Sequence, residues 1–420
     1  MRTVLPIELR HMLAPLLGRS ARRGFSSGAS GKPLRVLGLE SSADDTCASI
    51  VSSTRQILSN VVLKQNHIHD TYGGIHPLHA QEAHQRNMPL AIQQALAEAN
   101  LQLGDVDAFA FTRGPGMYGC LSACAGAAKA LAAATGKPLL GVHHMQAHAL
   151  TPLLTASLSP SPHPTPSFPF LTLLLSGGHT LLLAASSLSA FRILATTHDE
   201  SIGACLDKAS RALGIPRELG GGSQGAALER FACPGGALEA EETREAEREE
   251  HEAAQREGWK MPAFPTPFKA DLAFSYAGLR SSLTRLLPSS MEDWSTPRRR
   301  ATARAFMLAA FAQIEDKVAL ALRQAEGGGE ERTRGLVVSG GVASNLILRE
   351  RLRTKLDALG YPDLPLIFPP PAFCTDNAAM IAFVGLLRLE RGRVDPLTVM
   401  QQSKWSIEEC EADFEGVCQA

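Results

Sequence analysis

Two histidines four residues apart, His144 and His148, are the sharpest chemical feature of the chain. On a helix, side chains at i and i+4 project from one side, at a separation that one metal ion can bridge. Two imidazoles are too few for a tight site, so a third ligand must come from elsewhere. Asp376, in the Thr375-Asp376-Asn377 loop that follows a strand and precedes a helix, is the candidate. The same spacing also suits a pair of ordinary helix histidines. A peptidase built on His-Glu-x-x-His needs its glutamate as base, and Met145 follows His144 instead, so hydrolysis on that template is disfavoured.

Glycine turns come next. Ser176-Gly177-Gly178-His179-Thr180 and Ser339-Gly340-Gly341 each end an apolar run, where glycine lets backbone N–H groups approach a phosphate or nucleotide closely. A third polar turn follows the apolar run near Ser41. Neither a P-loop nor a G-x-G-x-x-G fingerprint is present, which removes the main support for those nucleotide folds. Asp207, before Lys208, reads either as a carboxylate for ribose hydroxyls or as a helix-start aspartate. Arg113-Gly114-Pro115-Gly116 reads as a cleft loop or a tight turn. The basic stretches Arg280–Arg285 and Arg298–Arg304 could contact phosphates or serve as solvated helix faces.

These residues need elements to hold them. Apolar runs of strand length cover 34–39, 47–51, 106–111, 138–142, 170–175, 179–184 and 335–338, with a short one at 367–368. Helical spacing predicts helices over 81–100, 119–134, 301–323, from about 345 to 359, and over 378–391. Residues 155–169 are rich in Ser and Pro without either period and read as a loop or insertion. Residues 238–257, crowded with Glu, Arg and Ala, read as a solvated helical insertion. The repeated strand-and-turn pattern predicts an α/β protein of two related lobes with a ligand in the cleft between them.

Composition sets the frame. The chain has 420 residues, 45% apolar and 20% charged, an ordinary globular balance that excludes fibrous and wholly disordered classes. Lys+Arg 41 against Asp+Glu 42 leaves a net charge of −1, so no global basic field advertises a nucleic-acid partner. The eight cysteines include no CxxC pair, which excludes a zinc ribbon and suggests reduced thiols in an intracellular compartment. No apolar run approaches the ~18 residues needed to span a bilayer, so no membrane role is expected. Residues 1–32 carry Arg2, Arg10, Arg19, Arg22 and Arg23 against Glu8 alone and end Ser-rich, the composition of a mitochondrial transit peptide. The expected location is the mitochondrial matrix.

Taken together, these pieces resemble one family, the tRNA N6-adenosine threonylcarbamoyltransferases, once called O-sialoglycoprotein endopeptidases, and among them the mitochondrial branch. The resemblance runs from Leu37 to Asn377. It is carried by Gly38-Leu39-Glu40-Ser41-Ser42-Ala43-Asp44-Asp45-Thr46, Gly73-Gly74-Ile75-His76-Pro77 with His84, Thr112-Arg113-Gly114-Pro115-Gly116, His144-Met145-Gln146-Ala147-His148, Leu175-Ser176-Gly177-Gly178-His179-Thr180, Asp207-Lys208, Phe274-Ser275-Tyr276-Ala277-Gly278-Leu279, Gly340-Gly341-Val342-Ala343-Ser344-Asn345 and Cys374-Thr375-Asp376-Asn377. Ala43, His76 and Ala277 depart from the residues common in the family, so any hydroxyl role at 277 is in doubt.

The resemblance implies a two-lobed actin-like ATPase fold, mixed sheets flanked by helices, with the ligand between the lobes. One lobe would cover 33–145 and be completed by 378–420; the other would cover 146–377 with insertions at 155–169 and 238–257. It implies transfer of threonylcarbamoyl from threonylcarbamoyl-adenylate, supplied by a separate synthase, to N6 of the adenosine just 3′ of the anticodon in tRNAs reading codons that begin with A. His144, His148 and Asp376 would hold one divalent metal ion per subunit, zinc, iron or magnesium. Leu175, Ser176, Gly177, Gly178, His179, Asp207, Asn345 and one glycine of the 220–225 run would hold the adenylate. Counting back from Glu229 selects Gly225, and matching the glycine run selects Gly222. No catalytic base is assigned. The partners implied are the tRNA anticodon loop and a second copy of the chain. The alternatives are an ATP-dependent small-molecule kinase of the same superfold, a metal peptidase, and a non-catalytic RNA-binding module.

Overall fold

A computed structural model of the chain describes residues 31–65, 74–158, 165–221, 223–327 and 332–415. The arginine-rich stretch 1–30, Gly222 and part of the 155–169 segment lie outside the described residues.

The chain opens with strands β1 (Arg35–Glu40), β2 (Thr46–Ser52) and β3 (Ile57–Leu63), then helix α1 (Pro77–Glu98). β4 (Ala108–Gly114), α2 (Tyr118–Thr135), β5 (Leu139–His143) and α3 (His144–Thr155) follow. The second half begins with β6 (Phe170–Leu175), β7 (Thr180–Ala185), β8 (Phe191–Thr196), α4 (Ile202–Ala212), α5 (Gln224–Ala232), α6 (Glu241–Glu257), α7 (Ala277–Leu286) and α8 (Thr296–Gly327). It closes with β9 (Leu336–Ser339), α9 (Leu346–Ala358), β10 (Leu366–Ile367), α10 (Pro371–Cys374), α11 (Ala378–Glu390) and α12 (Cys410–Glu415).

Among the described residues the strands form two five-stranded sheets, ordered β3-β2-β1-β4-β5 and β8-β7-β6-β9-β10. In each, three antiparallel strands are followed by two added in parallel. The two expected mixed sheets are present and share one strand order, and the three polar turns noted in the sequence end β1, β6 and β9. The central strands are apolar and buried on both faces, as parallel strands covered by helices must be.

Burial runs in layers. Leu37, Leu39, Phe109 and Phe111 pack under α1 and α2. The opposite face of that sheet, Val36, Ala110 and Val142, meets α3 and α11, and the same cluster continues into Phe170, Leu174 and Val337 of the second sheet. Leu171, Leu173, Leu336 and Val338 share a cluster with α4, α5, α7, α8 and α9. Helix α11 is buried over nearly its whole circumference, which its composition AAMIAFVGLLRLE requires. It approaches β1 so closely that a Cβ on Gly38 would stand 2.5 Å from the Ala378 carbonyl oxygen, leaving room for glycine alone.

Past α11 the chain returns as a strap. Asp395 N–H bonds to Leu139 O at 2.8 Å on edge strand β5, and Gln402 N–H to Arg113 O at 2.7 Å. Trp405 packs against the His143 ring at a tilt of 56° and lies under the Arg113 guanidinium. Glu408 then accepts the Ile193 N–H at 2.8 Å on β8, the edge strand of the other sheet.

Several local expectations are corrected. α1 starts at Pro77, where a proline at the first helical turn loses no hydrogen bond. β3, β8 and α7 lie outside the periodic runs recognised in sequence. The Glu-rich helix α6 is not simply solvated: Glu250 is fully buried, and its carboxylate pairs with Arg304 and with Arg300 at 3.0 Å. The basic run 298–304 is consumed by the same contacts. Arg300 also pairs with Glu249, Arg299 donates to the Leu213 and Gly214 carbonyls, and Arg298 stacks on Trp294. Arg280 is likewise paired, with Glu200 at 2.7 Å.

Candidate functional site

His144 and His148 occupy the first turns of α3, launched directly from the end of β5. The entry is set by His143, whose Nδ1 accepts the Gln146 N–H at 3.3 Å and whose Nε2–H donates to Trp405 O at 3.2 Å. Burial holds the His143 imidazole down at about 3. The two imidazole rings stand edge to face, centroids 4.7 Å apart. His148 Nε2 lies 2.9 Å and His144 Nε2 3.6 Å from one oxygen, Asp376 Oδ1. Asp376 is delivered by the turn between α10 and α11, where Asn377 caps the buried helix by accepting the Met380 N–H at 3.0 Å. The three residues proposed from sequence as ligands therefore meet, although Asp376 lies 228 positions from His148.

Behind them sits a residue that the sequence reading passed over. Glu40, the last residue of β1, is fully buried, accepts His144 Nδ1–H at 2.9 Å, and also accepts the Thr112 hydroxyl and the Ser42 N–H. Burial would raise its carboxyl, but the His144 charge and hydrogen bond prevail and hold it below the usual range. Burial would likewise raise Asp376, and His144 with His148 hold it well below. For His144, burial opposes the charged form, yet Glu40 and Asp376 draw it up to about 9.

These groups fit a divalent cation. Two imidazole nitrogens and a carboxylate oxygen lie within 4.8 Å of one another, a suitable donor set. Fully buried Glu40 and half-buried Asp376 set two carboxylates against these imidazoles, a charge balance that a cation would neutralise.

The turn between β6 and β7 closes one side. Ser176 Oγ accepts the N–H groups of Gly178 (3.3 Å) and His179 (3.0 Å), curling the backbone. Gly177 and Gly178 are exposed, with open space where side chains would stand. Behind the turn, Gly340 (φ 95°) presses on the Leu175 carbonyl, a conformation and a proximity open only to glycine. The His179 ring lies 6.3 Å from the His144 ring, and burial, with the His144 charge second, holds it down at about 4. Across the cleft floor Asp45 is pushed up to about 7 by burial and by Asp44 and Asp376.

Asp207 is not a helix-start residue. Ser201 caps α4 and Asp207 lies in mid-helix, where burial raises its carboxyl. The Gly225 backbone N–H bonds to it, and a Cβ on Gly225 would lie 3.4 Å from its Oδ1. Gly225 is thereby placed beside Asp207, whereas Gly222 lies outside the described residues. Asn345 is 6% exposed and caps α9, its Oδ1 accepting the Leu348 N–H at 2.9 Å. Glu229 of α5 accepts the Leu346 N–H at 2.6 Å beside it, and the 341–344 turn packs on α4.

Known proteins can be set beside this geometry. A family model described as tRNA N6-adenosine threonylcarbamoyltransferase matches residues 56–383. Curated proteins of that name are similar over almost their whole length. The one from Bartonella bacilliformis is 35% identical, covering 90% of this chain and 96% of its own. That from Jannaschia sp. is 37% identical, covering 91% and 96%, and that from Rickettsia bellii 34%, covering 89% and 99%. Among solved structures, T. kodakarensis HypF superposes with a TM-score of 0.50 at 14% identity, over 86% of this chain and about half (49%) of that longer one, a likeness of actin-like fold alone. The sequence matches, read on a two-lobed actin-like ATPase fold, establish that the chain belongs to the tRNA N6-adenosine threonylcarbamoyltransferase family, transferases that modify a tRNA adenosine.

Proposed function

We propose that the chain transfers threonylcarbamoyl from threonylcarbamoyl-adenylate to N6 of the adenosine 3′ of the anticodon in tRNAs reading codons that begin with A, releasing AMP. The single observation that carries this reading is the meeting of His144 Nε2, His148 Nε2 and Asp376 Oδ1 beside the open Ser176–His179 turn. An acyl-adenylate already carries a good leaving group, so the protein's task is to place the amine in line and stabilise the developing negative charge. Gly177 and Gly178 offer backbone on which the adenylate can lie without side-chain obstruction. Asp207 would take the ribose hydroxyls, with Gly225 as the glycine at its side, and Asn345 would offer its amide from the start of α9. A divalent ion held by His144, His148 and Asp376 would supply electrophilic polarisation and charge neutralisation. The acceptor base belongs to a single-stranded loop and can be splayed into the cleft without opening a duplex.

The composition of residues 1–32 supports action in the mitochondrial matrix, read by whether that segment carries a reporter into isolated mitochondria. A homodimer belongs to the same reading and is checked by sedimentation equilibrium; exposed Leu78, Leu90 and Tyr118 leave apolar surface on the α1–α2 pair. The deciding assay gives protein lacking residues 1–32 unmodified tRNA and threonylcarbamoyl-adenylate made by a separate synthase, with metal present. Modified adenosine is expected, and its absence refutes the transferase reading of this chain.

A further inference from the structure

We propose that Glu40 is the positioning residue of the metal site, a buried carboxylate that sets the tautomer of His144 and so aims its Nε2 lone pair at the metal position. The inference rests on the reading of His144, His148 and Asp376 as metal ligands. Three neighbours converge on Glu40, and all three donate: His144 Nδ1–H at 2.9 Å, the Thr112 hydroxyl, and the Ser42 backbone N–H. They come from α3, from β4 and from the turn after β1, so the carboxylate is fixed in both position and rotation.

A structural role alone is a poor account of this residue. Glu40 follows Val36-Leu37-Gly38-Leu39 on a central strand, fully buried, where an apolar side chain would avoid the cost of burying a charge. What the acid adds is a proton location. An imidazole that donates from Nδ1 must present Nε2 as its acceptor, and in a ligand histidine this partnership sets ring orientation and basicity. The second ligand lacks such support: His148 Nδ1 is buried with no hydrogen-bond partner among the described residues. The pair is therefore asymmetric, with His144 anchored from behind and His148 tied only through the ligand oxygen of Asp376.

Glutamine cannot substitute. With its oxygen toward His144 and Thr112, its NH2 confronts the Ser42 N–H, donor against donor. With its NH2 toward His144, Nδ1 must accept, which places the ring proton on Nε2 and blocks ligation.

The test measures zinc affinity by chelator competition, and the visible spectrum of the cobalt-substituted protein, on the full chain. Glu40→Gln should bind zinc about 10–100-fold more weakly than wild type and show an altered cobalt spectrum, with unchanged circular dichroism. Thr112→Val, which removes one donor but keeps the side-chain volume, should weaken zinc several-fold. Wild-type affinity in Glu40→Gln, while His148→Ala loses zinc, overturns the proposal and leaves the metal site standing. If Glu40→Gln does not fold, wild-type affinity in Thr112→Val overturns it instead. A wild-type protein that binds neither ion refutes the metal reading itself, and this inference with it.

Discussion

The two sheets share a strand order, yet their equivalent strand ends do opposite things. β1 and β6 are the central strands, each followed by a polar turn at the cleft. β1 ends in Glu40, wholly buried and bonded to three donors, and its sheet goes on to launch His144 and His148 from β5. β6 ends in Ser176-Gly177-Gly178-His179, where Ser176 Oγ accepts the Gly178 and His179 N–H groups, the Ser201 hydroxyl donates to Gly177 O, and the glycines lie open. At these two strand ends the first sheet presents a buried carboxylate, and the second offers bare backbone. Duplicated topology supplies matching positions around a cleft, and the side chains at those positions divide the labour between them.

That division can be broken first at the residues proposed as metal ligands. His148→Ala and Asp376→Ala should each cost at least about 1,000-fold in transfer rate, the several kcal/mol expected of electrophilic assistance. Ser176→Ala should cost only about tenfold, mostly in KM for the adenylate. Single-turnover rates on one tRNA decide it: equal losses would mean that the ionisable cluster and the bare turn are not specialised as described.

Stability should divide differently. Glu250→Ala strands Arg304 and Arg300 in the second lobe and should cost about 3 kcal/mol in urea unfolding while leaving zinc affinity untouched. A loss within 0.5 kcal/mol would show that the helix insertion merely rests on α8.

Acid should act on the first lobe. His143 has a folded value near 3 against an ordinary 6.5, because it is buried as the neutral ring. Below 6.5 the unfolded chain takes up a proton that the folded chain refuses, so this contribution is complete above 6.5 and drains away as pH falls toward 3. Relative to His143→Asn, which retains a capping side chain, wild type should lose about 1.4 kcal/mol per pH unit across that window. A pH-independent difference between the two proteins would contradict the buried neutral state.

The smallest effect separates two roles of one side chain. Asn345→Ala should lose about 1 kcal/mol from the α9 cap, whereas Asn345→Asp should keep the cap. If the amide also holds the adenylate, Asn345→Asp still raises KM about tenfold. An unchanged KM would reduce Asn345 to a cap.

What sequence made legible were features whose signal is local. The His144/His148 spacing, the glycine turns and the long apolar runs each announce themselves within a few residues, and all are found where expected. The remainder depended on distant partners. Glu40 reads as the polar end of a strand, since nothing nearby shows that Thr112 and His144 will enclose it. Arg300 and Arg304 read as phosphate contacts or solvated helix faces, because their glutamates lie 50 and 54 positions away. Asp207 reads equally as a ribose-binding carboxylate or a helix-start residue, because Gly203 weakens the helical pattern before it. That glycine is required by contact instead: a Cβ would stand 2.5 Å from Ser176 O.

The strap past α11 bears on how the enzyme can move. One short run of chain is bonded to β5 through Asp395 and to β8 through Glu408, the outer edges of opposite lobes. It ties the outer edges of the two sheets together, so any widening of the cleft that admits a tRNA nucleotide must strain the Asp395 and Glu408 contacts. Cutting the tether at Glu408→Ala should leave ligand binding in place and quicken amide exchange at Ile193, and unaltered exchange there would show that the tether bears no tension.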